Sequence, residues 1–340
     1  MKPGVRKGLI ERASADDVMS LVSDRHDPPI QVGVVLLIDV DADLDAERRL
    51  SETLANRVTS VPRLRQRLIA VPMGCGRPVW VDCSSFDFDE HFTVVRLPGP
   101  MTEETVLAHA AERLTTRLPR DRPPWAATLL AGHGDGKAAL ILVFHHVLAD
   151  GIAALSILGR LLDGAPSVHA TDFPRPAPSL GNLTLDAAAV RLRSVQRLPQ
   201  VLRRLISAVI ELGPSLHTHA APCSLNQPTG SHRRLLTVRS DLTQVIRLAH
   251  QSGATVNDVI LAAITGALHV LLVERGEHMP AFVVSIPVSS RPQSEHGELG
   301  NQSGVVPVLL SASGDFPARL IRRPPLAGLL AASEATSWSM

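Results

Sequence analysis

Hydrophobic positions in this chain switch between two periods. Ala138 to Phe144 is an unbroken apolar run of the length and branched composition that suits a strand buried on both faces. A short polar turn follows, and Ile152, Leu155 and Leu158 then fall at helical spacing. Upstream, Ser14 with Asp17 forms a capping-box pattern that opens a short helix through Val22, and Asp27-Pro28-Pro29 ends it. Gln31 to Val40 reads as a strand and Ala46 to Val58 as an amphipathic helix. In Pro62 to Leu68, Arg63, Arg65 and Arg67 alternate, which favours a solvated face over an anion site. Val79 to Val81 reads as a short strand and Phe86 to Phe92 as an edge strand. Thr102 caps a helix with Leu107, Ala110, Ala111 and Leu114 on one face. Ala126 to Ala131 is a further strand, which Gly132, Gly134 and Gly136 turn back into the Ala138 strand as a hairpin.

After the Ile152 helix the texture changes. Residues 164–180 are rich in Pro, Ala and Ser and read as a linker. Asp186 to Leu212 is a basic helical stretch, apolar on one side, that either packs as a crossover or lies on an anionic membrane. Pro199 and the linker beside it favour packing. Ala221 to Gly230 is turn-rich, Arg234 to Arg239 reads as a strand, and Thr255 with Asp258 opens a helix over Val259 to Leu272. Strands over Ala281 to Val288 and Val305 to Leu310 complete a second α/β half. The resulting division is 1–163 for the first half, 164–230 for linker and crossover helix, 231–313 for a partial second half, and 314–340 for an atypical tail.

Composition narrows the class. A chain of 340 residues supports two cored domains, and 45% hydrophobic with 20% charged residues is globular usage. A net charge of +1 gives no global field for nucleic acid. Cys75, Cys83 and Cys223 lack metal-ligand spacing, and with no signal-type segment at the start they point to a reducing, cytoplasmic setting. The longest apolar run, Val259 to Val273, contains His269 and is short for a membrane span.

The candidate chemistry lies at the end of the Ala138 strand, in His145-His146-Val147-Leu148-Ala149-Asp150-Gly151. Neighbouring side chains of an extended chain leave on opposite faces, so one histidine alone enters a given cavity. His146 fits a general base: histidine is the side chain whose unperturbed pKa lies close to neutrality, and a strand end is a rigid mount. Asp150 is expected to hold the turn through backbone amides or an arginine, and Gly151 to allow a dihedral or close approach that a Cβ forbids. The plain alternative is a pair of ordinary histidines ending a core strand. A metal site is disfavoured, because the rings point apart and no nearby Cys, Glu or third His completes a set. Asn257 and Asp258 lie in the first turn of their helix, where amides and the dipole gather; they either hold an oxyanion or hydroxyl, or simply cap. Arg291 is a natural partner for Asp150 if the halves face each other.

With these segments in order, the chain resembles the bacterial wax ester synthase/acyl-CoA:diacylglycerol acyltransferase family, within the chloramphenicol acetyltransferase-like superfamily. The resemblance rests on Pro29-Ile30-Gln31-Val32-Gly33, Pro62 to Leu68, Arg122-Pro123-Pro124-Trp125, HHxxxDG, Ser224-Leu225-Asn226, Asn257-Asp258, Pro287 to Pro292 and Leu299-Gly300-Asn301. It implies an α/β (α+β) fold of two similar halves with mixed sheets around a tunnel, the second half incomplete here. It further implies that His146 deprotonates a fatty alcohol or diacylglycerol hydroxyl, which attacks an acyl-CoA thioester. No acyl-enzyme and no cofactor is implied beyond acyl-CoA as co-substrate. Trp125, Asn257 and Asp258 become substrate-site residues and Arg291 a structural one. The implied setting is cytoplasmic, with peripheral membrane or lipid-droplet contact compatible and nucleic acid not. Pro124 stands where the family has leucine. Residues 314–340 lack the long helix and later strands that the family implies, so they read as a foreign tail and the chain as C-terminally truncated. Two other readings follow: a non-catalytic remnant, or a related acyltransferase taking another thioester donor.

Overall fold

The computed structural model describes residues 10–40, 46–132, 136–161, 173–216, 221–289, 303–312 and 314. Contacts divide the chain into two units, one built by the chain up to Gln196 with Gly230–Leu236, the other by Arg197–Thr229, Thr237–Pro292 and the chain from Ser303.

The first unit opens with helix α1 (Ala15–Ser23), whose capping box is formed: the Ser14 hydroxyl accepts from Asp17 N–H and the Asp17 carboxylate accepts from Ser14 N–H. Strand β1 (Gln31–Asp39), helix α2 (Ala46–Val58), a 3₁₀ turn (Pro62–Arg65), strands β2 (Gln66–Ile69), β3 (Val79–Asp82) and β4 (Phe92–Arg96), helix α3 (Glu103–Thr115), strands β5 (Trp125–Ala131) and β6 (Lys137–His145) and helix α4 (Gly151–Leu161) follow. The main sheet has the order β1-β6-β5-β4, with β4 and β5 parallel and the other pairs antiparallel; β2 and β3 form a separate ribbon.

Strand β6 is buried from Ala138 to His145, as its unbroken apolar run predicts. Its alternation feeds two cores. Leu140, Leu142 and Phe144 meet Leu54 and Val58 of α2 and Ala153, Ala154 and Ile157 of α4. Ala139, Ile141 and Val143 meet Val106 and Ala110 of α3 on the other face. Gly33 lets α3 approach β1: a Cβ there falls 2.9 Å from Leu114 Cδ2.

Two expectations are overturned in the first unit. Phe86 to His91 is a turn rather than an edge strand, closed by a Phe86–His91 stack and by Phe92 N–H donating to the Phe88 carbonyl; only from Phe92 does a strand run. Arg63 and Arg65 are buried, not solvated. The 3₁₀ turn sets Arg63 4.1 Å over Trp80, paired with Glu11, and Arg65 lies 3.8 Å over Phe173. An aromatic face accepts a cation that alternation alone assigns to water.

Helix α5 (Leu180–Leu216) runs longer than its sequence pattern and carries the boundary between units. Leu183 and Ala187 are buried, whereas the described side chains from Arg191 to Ile206 are exposed. The packing that Pro199 suggests is therefore confined to the first turns. The second unit holds α6 (Leu242–Gln251), capped by Asp241 and absent from the sequence reading, then α7 (Val256–Glu274) and an antiparallel pair, β7 (Ala281–Ser289) and β8 (Ser303–Ser311). Its cores are small: Ala249, Val259 and Ala262 form one, Cys223, Leu272 and Met279 another. Residues 234–239 form no strand, and Leu235 packs on the α3 core. Helix α7 extends its apolar run to 19 residues with a mean hydropathy of 2.0, so it is long and apolar enough to cross a membrane, while a third of it is buried in the structure.

Candidate active site

The turn from β6 into α4 is covered almost completely. From Ala138 to Asp150, His146 alone is not classed as buried. The covering is a consequence of β6 being central in its sheet and α4 packing back on it, so a side chain that reaches solvent from this turn is an exception with a specific cause.

His145 is 5% exposed and fixed at both ring nitrogens. Val147 N–H donates to its Nδ1 at 3.0 Å, and its Nε2 lies 3.1 Å from Asp24 Oδ2. An amide donor at Nδ1 requires a lone pair there, which assigns the proton to Nε2 and makes that nitrogen the donor to Asp24. Burial lowers the His145 pKa and outweighs the opposing pull of the Asp24 carboxylate. The first histidine of the motif is thus a neutral structural ring.

Asp24 sits at the hub of this arrangement. Its side chain is fully buried, and its carboxylate accepts from Ile30 N–H at 3.0 Å, Arg117 Nη1 at 2.7 Å and Arg120 Nη2 at 2.9 Å as well as from His145. Burial alone raises its pKa; the hydrogen bonds from Ile30, His145 and Arg120 outweigh that and hold the carboxyl below the ordinary carboxylate range. Sequence reasoning missed Asp24, Arg117 and Arg120, because 93 residues and more separate the partners and no local spacing signals them.

His146 is placed by its backbone. Its N–H donates to the Ile30 carbonyl at 3.0 Å, while the flanking His145 N–H donates to the Pro124 carbonyl at 2.9 Å and Leu148 N–H to the His145 carbonyl at 2.8 Å. Asp150 is 2% exposed and caps α4, its Oδ1 accepting from Ala153 N–H at 2.7 Å and its carbonyl from Ala154 N–H. The backbone-amide role expected for Asp150 is therefore present. The expectation for Gly151 is corrected: its φ is not in the left-handed region, and a Cβ there meets nothing within 4 Å. Open space, rather than strain or crowding, is what the glycine leaves at the start of α4.

Other expected site residues are placed elsewhere or not described. Trp125 is 3% exposed, stacked 4.5 Å from His91 and donating from Nε1 to the Leu64 carbonyl at 2.7 Å, so any influence on a ligand passes through packing. In the second unit, Asp258 accepts from Thr255 N–H and from its hydroxyl, completing a capping box, and Asn257 is exposed beside it. Arg291, and with it the expected Asp150 pairing, lies outside the described residues. Among the described residues no group of three His, Cys, Asp or Glu gathers as a metal ligand set. On the His145 side a mainly apolar cavity of about 240 Å³ is lined by Leu21, Leu68, Arg120, Pro124, His145 and Val147.

Residues 14–260 match the family model of the wax ester synthase/diacylglycerol acyltransferase catalytic domain. The probable diacylglycerol O-acyltransferase tgs1 of Mycobacterium tuberculosis is 30% identical over 308 residues, which cover 88% of this chain and 65% of the relative. The chain therefore spans just under two thirds of the length of that protein. Among solved structures, the wax ester synthase/diacylglycerol acyltransferase of Marinobacter aquaeolei VT8 superposes with a TM-score of 0.61 at 22% identity, over 97% of this chain and 73% of that one. The first condensation domain of the calcium-dependent antibiotic synthetase gives 0.63 at 21%, over 97% and 76%. These likenesses establish the mixed α/β, chloramphenicol acetyltransferase-like fold that the sequence resemblance implied. With the family model covering well over half of its length, the chain belongs to the wax ester synthase/diacylglycerol acyltransferase family.

Proposed function

We propose that this chain transfers a long-chain acyl group from acyl-CoA to a lipid hydroxyl, that of diacylglycerol or of a long-chain fatty alcohol, giving triacylglycerol or a wax ester. The observation that carries the reading is the single half-buried imidazole of His146 in an otherwise buried turn. In the reaction, neutral His146 takes the hydroxyl proton as the oxygen attacks the thioester carbonyl. The tetrahedral adduct then collapses, the C–S bond breaks, and the imidazolium returns its proton to the CoA thiolate. Acyl transfer is direct, so no acyl-enzyme forms, and the imidazole supplies the base without a metal or cofactor. Asp150 and Gly151 build the helix start beside His146; Asn257, Asp258 and Arg291 are assigned to substrate and to scaffold on the family resemblance.

The setting proposed is cytoplasmic and peripheral, on an inner membrane face or lipid droplet, where both lipid substrates reside. Support comes from α5: residues 187–210 contain five arginines and no acidic residue, beside exposed Leu192, Val195, Leu198, Leu202 and Ile206.

The test is transfer of labelled palmitoyl-CoA to diacylglycerol and hexadecanol presented in phosphatidylglycerol vesicles, with vesicle-bound protein measured in the same samples. Ester is expected from the chain and a loss of about 10²-fold to 10⁴-fold from His146→Ala, the range for a removed general base. Folded protein that makes no ester points to the non-catalytic remnant. Ester formed only from a palmitoyl carrier-protein thioester points to the other donor class.

A further inference from the structure

We infer that Asp24 is a positioning residue for His146, acting by closing a ring of hydrogen bonds around the base without touching substrate; the inference rests on His146 acting in the proposed transfer. Four bonds form the ring. Asp24 Oδ1 accepts from Ile30 N–H at 3.0 Å, and the Ile30 carbonyl accepts from His146 N–H at 3.0 Å. On the other side, Asp24 Oδ2 accepts from His145 Nε2–H at 3.1 Å, and His145 Nδ1 accepts from Val147 N–H at 3.0 Å. The amides of His146 and Val147, on either side of the His146 Cα, are therefore both tied back to one carboxylate.

Each part of the ring has a chemical reason. A carboxylate has two oxygens, and here one serves the strand before the site and the other the histidine ring, a division that a shorter or neutral side chain does not reproduce. The ring carries information only if the carboxylate is immobile. Arg117 and Arg120 secure that, binding Oδ2 at 2.7 and 2.9 Å, and both also bond the Asp24 carbonyl. With a fully buried side chain the carboxylate has no water to exchange these partners for. A side chain moves with the peptide that carries it, and fixing the amides on both sides of the His146 Cα restricts that motion. Placement of a base to within a fraction of an ångström is worth up to about 10² in rate. His145, the first histidine of the motif, then acts as a link between Asp24 and the peptide that follows His146.

The experiment compares the full chain with Asp24→Asn and with Asp24→Asn/Arg120→Gln, which removes one of the two cations the first change strands, the other, Arg117, keeping Asp27 as a partner. Asparagine keeps an acceptor for Ile30 but offers His145 Nε2–H an amide NH₂ in place of an oxygen. Two readouts are taken: kcat and KM for ester formation, and the ring resonances of His146 in protein labelled at histidine. Val106→Ala, in the α3 core, serves as a matched destabilised control. Expected in the folded Asp24 variants is a fall in kcat of about 10-fold to 100-fold with KM within threefold, together with a shifted or broadened His146 ring signal; the control moves neither. Folded variants with wild-type His146 signals and wild-type kcat overturn the inference, as does a control that shifts His146 equally. Should the parent chain make no ester, the transfer reading fails separately and the His146 resonance still decides whether Asp24 sets its position.

Discussion

The main sheet of the first unit and the strand pair of the second are written in similar strand language and end in different states. Strand β6 is a nine-residue apolar strand with a neighbour on each edge and helices on both faces, and it is buried from Ala138 onward. Strands β7 and β8 are nine residues each, rich in valine and leucine, and among the described residues they pair with each other alone, with Leu309 55% exposed. The helices do not follow the strands: both α1 and α7 open on a complete capping box, and both leave large apolar side chains exposed, Met19 and Val22 in the one and Ile260, Ile264 and Val270 in the other. Local signals therefore form elements in either unit, while burial depends on how many neighbours the element finds. The sharpest break of this comparison is a pair of truncations. Leu142→Ala in β6 is expected to cost about 2–5 kcal/mol, as a fully buried leucine does, and Leu309→Ala in β8 less than about 0.5 kcal/mol. Denaturant unfolding read by segment-resolved hydrogen exchange separates the two; equal costs would mean that burial in the second unit is greater than its side-chain exposure indicates.

The same contrast explains what was legible in the sequence. The β6 strand, the α1 and α7 caps, the Ala46–Val58 helix and the HHxxxDG turn all depend on residues a few positions apart, and all were readable. Asp24, Arg117 and Arg120 were not, because a carboxylate that binds a ring 121 residues away has no local spacing to betray it. Arg63 and Arg65 failed for a related reason: alternation says which residues share a face but not that Trp80 and Phe173 lie over it. Arg234 to Arg239 has a strand's composition and forms none, and α6 opens on Asp241, whose carboxylate accepts from the Thr243 and Gln244 amides. Asp150 was read correctly as a residue of the turn since its contact, Ala153 N–H, is local.

Acid should sharpen the comparison at a smaller amplitude. The groups packed around His145 are Asp24, Arg120 and the neighbouring His146, and the pKa of His145 is lowered by burial, as is that of His91. A histidine whose folded pKa lies below its unfolded value of about 6.5 binds more protons when unfolded, so its stabilisation is complete above that pH and is lost as pH falls toward the folded value. Asp24 and Asp82, the latter lowered to about 2 by its bonds to Arg175 and Gln66 despite burial, add a second loss below about pH 4. Asp17, raised by burial, runs the other way and offsets part of that second loss. Every one of these groups belongs to the first unit. Trp80 and Trp125 are both in its core, so the urea midpoint followed by tryptophan fluorescence is expected to fall between pH 7.5 and 5.5 and again below 4. A midpoint flat from 7.5 to 5.5 would mean that His145 is not held neutral, and the Val147–His145 bond would then need another donor assignment.

The smallest stability effect belongs to Gly151, and it separates scaffold from chemistry within the motif itself. Glycine at the first position of a helix usually has a backbone reason, and here there is none: φ is not left-handed and a Cβ has nothing within 4 Å. Gly151→Ala should therefore leave the unfolding free energy within about 0.5 kcal/mol, with any shift toward greater stability because alanine restricts the unfolded chain. The neighbouring Asp150 differs, since its carboxylate caps α4 and losing it costs stability directly. If the space beside Gly151 belongs to substrate, Gly151→Ala lowers ester formation while the urea midpoint stays put, which no structural role of the glycine produces. That outcome is the expected one, because the fold places no demand on this position and the motif ends on glycine all the same. Unchanged transfer by Gly151→Ala would confine the chemistry of the turn to His146 and leave the glycine as nothing more than the start of α4.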